Sequence, residues 1–301
     1  MTTLRYALAA AAHGWHVFPL VPGGKVPPRG FTSWESRATL DVDTIRTWWA
    51  RQPYANVGIA CGPSGLVVLD LDTPKPGKEG LRPPPAWDLP GVTDGADVLA
   101  VLCERAGQPL PFETFTVHTR RGGTHLYYIA PRHLQLRNTE GDQGSGLGWL
   151  IDTRAHGGYV VGPGSHVDLP DGTGTYQVVH NASPAPLPPW LSKQLEVPPP
   201  TAARPVRLAL PPDRRGAFLR AAITGELDRV AEAPCGERNR TLYLAATALG
   251  QLVAGGALNE SEVTNLLGQQ GEAIGLSPAE TRLTIASGLR NGARRPRGVA
   301  A

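Results

Sequence analysis

Cysteine is scarce in this chain, and lysine is missing from its last third. The three cysteines, Cys61, Cys103 and Cys235, lie far apart, with no C-x-x-C pair and no Cys/His cluster at zinc spacing. Those absences speak against a zinc module and a disulfide framework, and a reducing, cytoplasmic setting is the expectation. No apolar run reaches membrane-spanning length, so no membrane partner is expected. The opening "MTTLRYALAAAAHGWHVF" has only a short, Ala-rich run that leads straight into a core strand. It reads as a first helix ending at His13-Gly14 rather than a signal peptide. No G-x-x-x-x-G-K-[ST] occurs; neither "CGPSGLVV" nor "GGKVPP" fits, so no helicase motor of that type is built in. Residues 201–301 hold 13 Arg and no Lys against 9 acidic residues, a net of +4, which leaves −1 for residues 1–200. The overall +3 is too small to require a nucleic-acid partner. "ARRPR" (293–297) concentrates the excess, either as a solvated terminus or as a phosphate contact.

What is abundant is equally informative. With 30 Pro, 36 Gly and 41% hydrophobic residues, the chain has many turns, at least one linker and enough apolar material for a sizeable core. The periodicity predicts helices over 3–13, 41–53 and 94–107, the second capped by Asp41 or Asp43, striped by Ile45, Trp48 and Trp49, and stopped by Pro53. Strands are predicted at 16–22, 114–119, 124–130 and 174–179, with strand, turn and strand over 147–165. "NVGIACG" and "GLVVLDLD", joined by Gly-Pro-Ser-Gly, read as a hairpin, and "RRGG" joins a second one. Residues 73–91 read as a Pro/Gly/Lys-rich loop. Prolines from 184 to 212 mark a linker with a short Trp190 segment inside it. Beyond it the period turns helical, with four or five helices. Starts are signalled at Asn259 with Glu262 and at Ser277-Pro278 with Glu280, and stops at Gly256, Gly275 and Gly292. The expected organisation is an α+β domain over 1–192, a linker over 193–212 and a small all-α domain over 213–297.

The stretch "SGLVVLDLDTP" (64–74) carries the chemistry. Five apolar residues lead to Asp70, one leucine and Asp72. At i and i+2 on a strand the two carboxylates share a face, close enough to repel. They are either carboxylates capping a turn before Pro74 or part of a divalent-metal site. A metal site needs a third ligand, and "WLIDTR" offers Asp152 at the end of another apolar strand. Three carboxylates on adjacent strands form a hard-oxygen set suited to Mg²⁺ or Mn²⁺, and two such ions can clamp a phosphoryl transfer. "RRGGTHLYYI" places His125 at a strand start behind a Gly-Gly turn, where backbone amides can approach an anion.

In their order and flanks these motifs resemble the N-terminal primase–polymerase (Prim-Pol) domain of the archaeo-eukaryotic primase (AEP) superfamily, in its bacterial, plasmid and phage branch. The acidic pair stands as "VLDLD" (68–72), the small-x-His motif as "GTH" (123–125) and the hydrophobic-Asp motif as "LID" (150–152). The flanks "GWHVFPLVPGGKVP", "GGTHLYY" and "DTRAHGGYVVGPGS" are similar too, and the resemblance spans roughly residues 4–192. It implies a mixed or antiparallel, RRM-like catalytic sheet and two metal ions on Asp70, Asp72 and Asp152. It also implies that His125 holds the triphosphate of a dNTP or NTP, and that a primer 3′-hydroxyl attacks the α-phosphorus on a single-stranded DNA template. Arg121-Gly122-Gly123 stands where relatives usually have Ser-Gly-Gly, and Arg121 can bind phosphate as a fork. The Gly-rich approach "EGDQGSGLGW" to Asp152 is longer than the family pattern.

Further candidates surround these motifs. Arg154 falls on the face of Asp152 and either binds phosphate or pairs with an aspartate. Lys25 meets phosphate or is a solvated loop lysine, and Ser165 is a candidate nucleotide contact. His156 sits in a turn, and Trp48 and Trp49 read as core. Three function classes remain open. One is a DNA primase/polymerase with any replicative helicase acting in trans. The second is a non-catalytic nucleic-acid-binding accessory protein of a mobile element. The third is a metal-dependent nuclease, which the lack of a lysine or histidine base near "LDLD" disfavours.

Overall fold

Short apolar runs between glycines and prolines become strands, and capped Ala- and Leu-rich stretches become helices. The computed structural model describes residues 3–74, 83–196, 213–233, 237–276 and 278–298. The chain divides into two units, Met1–Val197 and Pro198–Ala301. Cys235, Ser277 and the stretches expected as loop over 75–82 and as linker over 197–212 lie outside the described residues.

The first unit opens with α1 (Leu4–Ala12), which buries Ala7, Ala10 and Ala11, then β1 (Val17–Leu20) and a short α2 (Trp34–Arg37). In α3 (Val42–Arg51) the Asp41 carboxylate accepts from the Thr44 N–H at 2.7 Å, and Ile45 and Trp49 face the core. β2 (Asn56–Ala60) and β3 (Leu66–Leu71) precede α4 (Gly95–Ala106), which Asp94 caps by accepting from Ala96 and Asp97. β4 (Phe115–His118), β5 (Thr124–Ile129), β6 (Ile151–Arg154), β7 (Tyr159–Val161), β8 (His166–Leu169), β9 (Gly172–Thr175), β10 (Gln177–His180), β11 (Ala185–Pro186) and α5 (Pro189–Leu195) follow. Leu191 and Leu195 of α5 are core residues, so 193–195 continue a packed helix.

The strands form a three-stranded sheet, β1-β2-β7, a six-stranded sheet with order β10-β4-β5-β3-β6 to which β11 adds beside β5, and the β8–β9 hairpin. All pairs are antiparallel except β11 with β5. This corrects one expectation: β2 and β3 are not a hairpin. Their turn closes locally, with Leu66 N–H donating to Cys61 C=O at 2.9 Å, and then the strands splay into different sheets. Each strand has two edges, and those of β2 are filled by β1 and β7, those of β3 by β5 and β6. The 147–165 segment likewise sends β6 and β7 to different sheets. The β4–β5 hairpin forms as expected.

Two cores follow from the alternation along β3. Leu66 and Val68 face the three-stranded sheet, α1 and α3, together with Trp15, Phe115 and Tyr127. Val67, Leu69 and Leu71 face α4, α5 and Trp87 on the other side. Trp49 is core, and Trp48 packs partly buried against Phe31.

The second unit holds α6 (Arg214–Ala231), α7 (Arg238–Ala254), α8 (Glu260–Ala273) and α9 (Pro278–Gly292). Asn259 caps α8 by accepting from Ser261 and Glu262. Gly292 departs from its expected stop role: it lies in the last turn of α9, where a Cβ would come within 2.4 Å of the Thr247 carbonyl. Among the described residues, no helix is long and apolar enough to cross a membrane.

Candidate active site

β3 is central in its neighbourhood, and its register builds the site. Asp70 stands opposite His125 of β5 on one side and opposite Asp152 of β6 on the other. Directly opposed residues on an antiparallel ladder have Cα atoms about 5 Å apart. The three side chains thus form a row across three adjacent strands, on the face that is apolar core at Leu66 and Val68. Asp72 follows on the same face just past the strand. Its N–H donates to Leu150 C=O at 2.8 Å, and its C=O accepts from Gly95 N–H at 2.9 Å. Leu150 takes φ of 60° to make that contact, a conformation costly for a bulky residue. Gly95 is required here by space, because a Cβ would lie 2.3 Å from the Leu150 oxygen. The long approach to Asp152 folds back so that Gly141 N–H donates to Asp152 Oδ1 at 3.0 Å.

Charge is crowded in this row. His125 Nε2 lies 3.3 Å from Asp70 Oδ1 without hydrogen-bond alignment, and both that oxygen and His125 Nδ1 are buried without a hydrogen-bond partner. Burial pushes the Asp70 carboxyl up, but His125, Arg154 and Lys25 outweigh it and hold it below the usual carboxylate range. Asp72 goes the other way: burial, then the charges of Asp70 and Asp152, raise it to about 6. Burial also raises Asp152, against the Arg154 guanidinium and the Gly141 amide. Arg154 NH2 meets Asp152 Oδ2 at 2.7 Å, so of the two roles left open it takes the ion pair.

The Gly-Gly turn is built differently from a free anion cradle. Gly122 takes φ of 83° with open space beside it, but Gly123 is needed because a Cβ would lie 2.6 Å from the Leu71 carbonyl. Arg121 donates to Asp171 Oδ2 at 3.1 Å, to Thr73 C=O at 3.1 Å and to Pro74 C=O at 3.4 Å. Thr73 Oγ1 donates back to the Arg121 carbonyl at 3.1 Å. The guanidinium therefore pins the chain leaving Asp72. Arg120 meets the same Asp171 at 2.5 Å and also donates to Gly172 C=O. Ser165 is fully buried and its Oγ accepts from Val57 N–H at 2.9 Å, which places it behind the site as a support of β2. His156 Nδ1 lies 3.8 Å from Glu35, outside the row.

Three more residues lie around the row: Tyr176 and Asp171, which the sequence reading did not single out, and Lys25, which it held open as a phosphate contact. Tyr176 stacks tilted on His125 with ring centroids 5.6 Å apart, and burial and the charges of Asp70 and Asp72 push its phenol up. Lys25 enters from the β1–α2 loop. Burial and Arg120 push its ammonium down, while Asp70 and Asp72 hold it up. Asp171 ties the β8–β9 hairpin to both arginines of the 120–121 turn. The Asp171-Gly172 dipeptide was the available signal for that hairpin; nothing in the sequence marked Asp171 as a double arginine partner.

The donor chemistry suits hard divalent cations. Asp70 offers a buried oxygen with no hydrogen-bond partner, and Asp72 crowds beside it on the same face. Among the described residues, however, no group of three His, Cys, Asp or Glu side chains is placed to hold one ion, and both Asp152 oxygens accept hydrogen bonds, from Arg154 and Gly141. A family model described as bifunctional DNA primase/polymerase, N-terminal, matches residues 7–190, more than half of the chain and every site residue above. No curated protein matches the chain.

Proposed function

Since the chain belongs to the Prim-Pol family of bifunctional DNA primase/polymerase N-terminal domains, we propose that it catalyses template-directed nucleotidyl transfer, making or extending primers on single-stranded DNA. Family membership implies a nucleotidyltransferase-type enzyme. The finer reading rests on one observation, the register that sets Asp70 between His125 and Asp152. In this reading residues 1–192 are the catalytic domain, with the six-stranded sheet as its RRM-like core, and the helices of 213–297 bind template or a helicase acting in trans.

Asp70 and Asp72, joined by Asp152 when it leaves Arg154, are the residues to hold two Mg²⁺ or Mn²⁺ ions. When bound, those ions neutralise the triphosphate and favour the ionised 3′-hydroxyl. The protein's own share is positioning. His125, wedged between Asp70 and Tyr176, donates to the phosphates of the dNTP or NTP. Released from Asp152, Arg154 offers its fork to the same charge. Leu150 and Gly95 fix the Asp72 backbone, and Arg121 fixes the chain beyond it. The new bond joins the primer 3′-oxygen to the α-phosphorus, and pyrophosphate leaves.

Primer extension with labelled dNTPs and Mn²⁺ or Mg²⁺ tests this. The Asp70→Ala/Asp72→Ala protein is expected to lose at least about 10³-fold in rate while keeping its fold. Products undiminished in that variant sink the proposal. A second reading, a non-catalytic nucleic-acid-binding accessory protein, draws on the Arg154–Asp152 pair that occupies the third carboxylate. Its signature is DNA binding with no product under either metal.

A further inference from the structure

The loop between β1 and α2 brings Lys25 into the fields of Asp70 and Asp72 of the acidic row. That loop is tied down residue by residue. Val21 N–H donates to Val26 C=O at 2.9 Å, and Asp168 N–H of β8 donates to Gly23 C=O at 2.8 Å. Asn56 Nδ2 donates to Gly24 C=O at 2.9 Å, and the Tyr159 hydroxyl donates to Lys25 C=O at 3.1 Å. A solvated surface lysine gains nothing from such anchoring. The Lys25 side chain is half-buried and lies within the fields of Asp70, Asp72, Asp171 and Arg120. Among the described residues it closes no hydrogen bond or ion pair of its own. The other cations near the row already have carboxylate partners, Arg121 and Arg120 on Asp171 and Arg154 on Asp152, and Arg154 would have to leave Asp152 before it could meet the same phosphates. Lys25 thus brings a point charge with three donors and no fixed partner to the site.

We propose that Lys25 is a substrate-binding residue of this cleft and takes the β- or γ-phosphate of the incoming nucleoside triphosphate. The inference rests on the nucleotidyl-transfer reading and goes beyond the acid and histidine motifs. Its logic is charge. Three carboxylates face Arg154 and Lys25; once divalent cations neutralise the carboxylates, Lys25 needs a new anion, and a triphosphate brings about four negative charges into the gap. A DNA-backbone phosphate, with a single negative charge, is the weaker match for an ammonium that feels both Asp70 and Asp72.

The test is equilibrium binding of a non-hydrolysable dNTP in Mn²⁺ to the full chain, by calorimetry or anisotropy, with no turnover. Lys25→Ala is expected to weaken triphosphate binding about tenfold or more and to leave dNMP binding and primed-template affinity unchanged. Lys25→Gln keeps the aliphatic stem and removes the charge, so it should show the same loss with an unchanged melting temperature. Equal triphosphate affinity in wild type and both variants overturns the assignment. So does a loss confined to template affinity, which makes Lys25 a DNA contact. If wild type itself binds no triphosphate, the nucleotidyl-transfer reading falls along with it; if wild type binds and the variants match it, only the Lys25 assignment falls.

Discussion

The two large sheets of the first unit obey the same burial rule and do different work. The strands of the three-stranded sheet, "VFPL", "NVGIA" and "YVV", carry no charged side chain and are buried almost throughout. The six-stranded sheet is just as apolar at Leu66, Val68 and Tyr127, then turns acidic on the same face at Asp70, with Asp152 and His125 beside it. The difference lies where the apolar alternation stops, not in sheet type. One sheet is apolar up to its loops; the other ends its last rungs in the charged row proposed as the reaction surface, supported from below by the core that supports the first.

Three substitutions probe that contrast. The largest stability effect belongs to the scaffold: Ile59→Ala, in a fully buried position of β2, should lower the unfolding free energy by ~2–4 kcal/mol. The folded fraction should keep its specific activity, as denaturant melts set beside primer extension would show. Gly95→Ala sits at the join. Its Cβ would meet the Leu150 oxygen at 2.3 Å and must displace the backbone that holds Asp72. Activity should drop about 10- to 100-fold with a modest stability loss of ~1–2 kcal/mol. A fall in activity no larger than the fall in folded fraction would put Gly95 on the scaffold side.

The third effect on stability has the opposite sign. Asp72 is raised to about 6 by burial and by Asp70 and Asp152, so the metal-free native state binds more protons than the unfolded chain between pH ~4 and ~6. The stability this contributes is present below pH ~4 and is lost as pH rises through about 6. Asp72→Asn should therefore stabilise the metal-free protein at pH 7.5 by ~1–2 kcal/mol and flatten the melting temperature between pH 4 and 7, while abolishing extension. A wild-type melting profile parallel to that of the variant would show that the carboxylate is not under this strain.

Much of the geometry of the candidate site was legible because it is local. The i, i+2 spacing put Asp70 and Asp72 on one face, and "LID" announced Asp152 by its apolar lead-in. The caps Asp41 and Asn259 and the β4–β5 hairpin are equally short-range signals. Sheet membership was not legible. Gly62-Pro63-Ser64-Gly65 reverses the chain in the same way whether the flanking strands pair or splay, and only the edge partners decide. Those partners, β1, β7, β5 and β6, come from far along the chain. Arg121 was misleading for a related reason: a guanidinium behind a Gly-Gly turn reads as a phosphate fork, and only Asp171, fifty residues on, shows that the protein uses it first.

The register row has a mechanical consequence. Asp70, His125 and Asp152 are neighbours on one hydrogen-bonded ladder, so their spacing is as stiff as the ladder itself. Lys25 hangs from the other sheet's loop, and its distance to the row is set by how two separate layers rest on each other. A shift between the layers would lengthen or shorten that reach without altering the spacing of the carboxylates. The molecule thus keeps tight tolerance where bonds would be made and slack where a bulky, variable guest would have to be admitted.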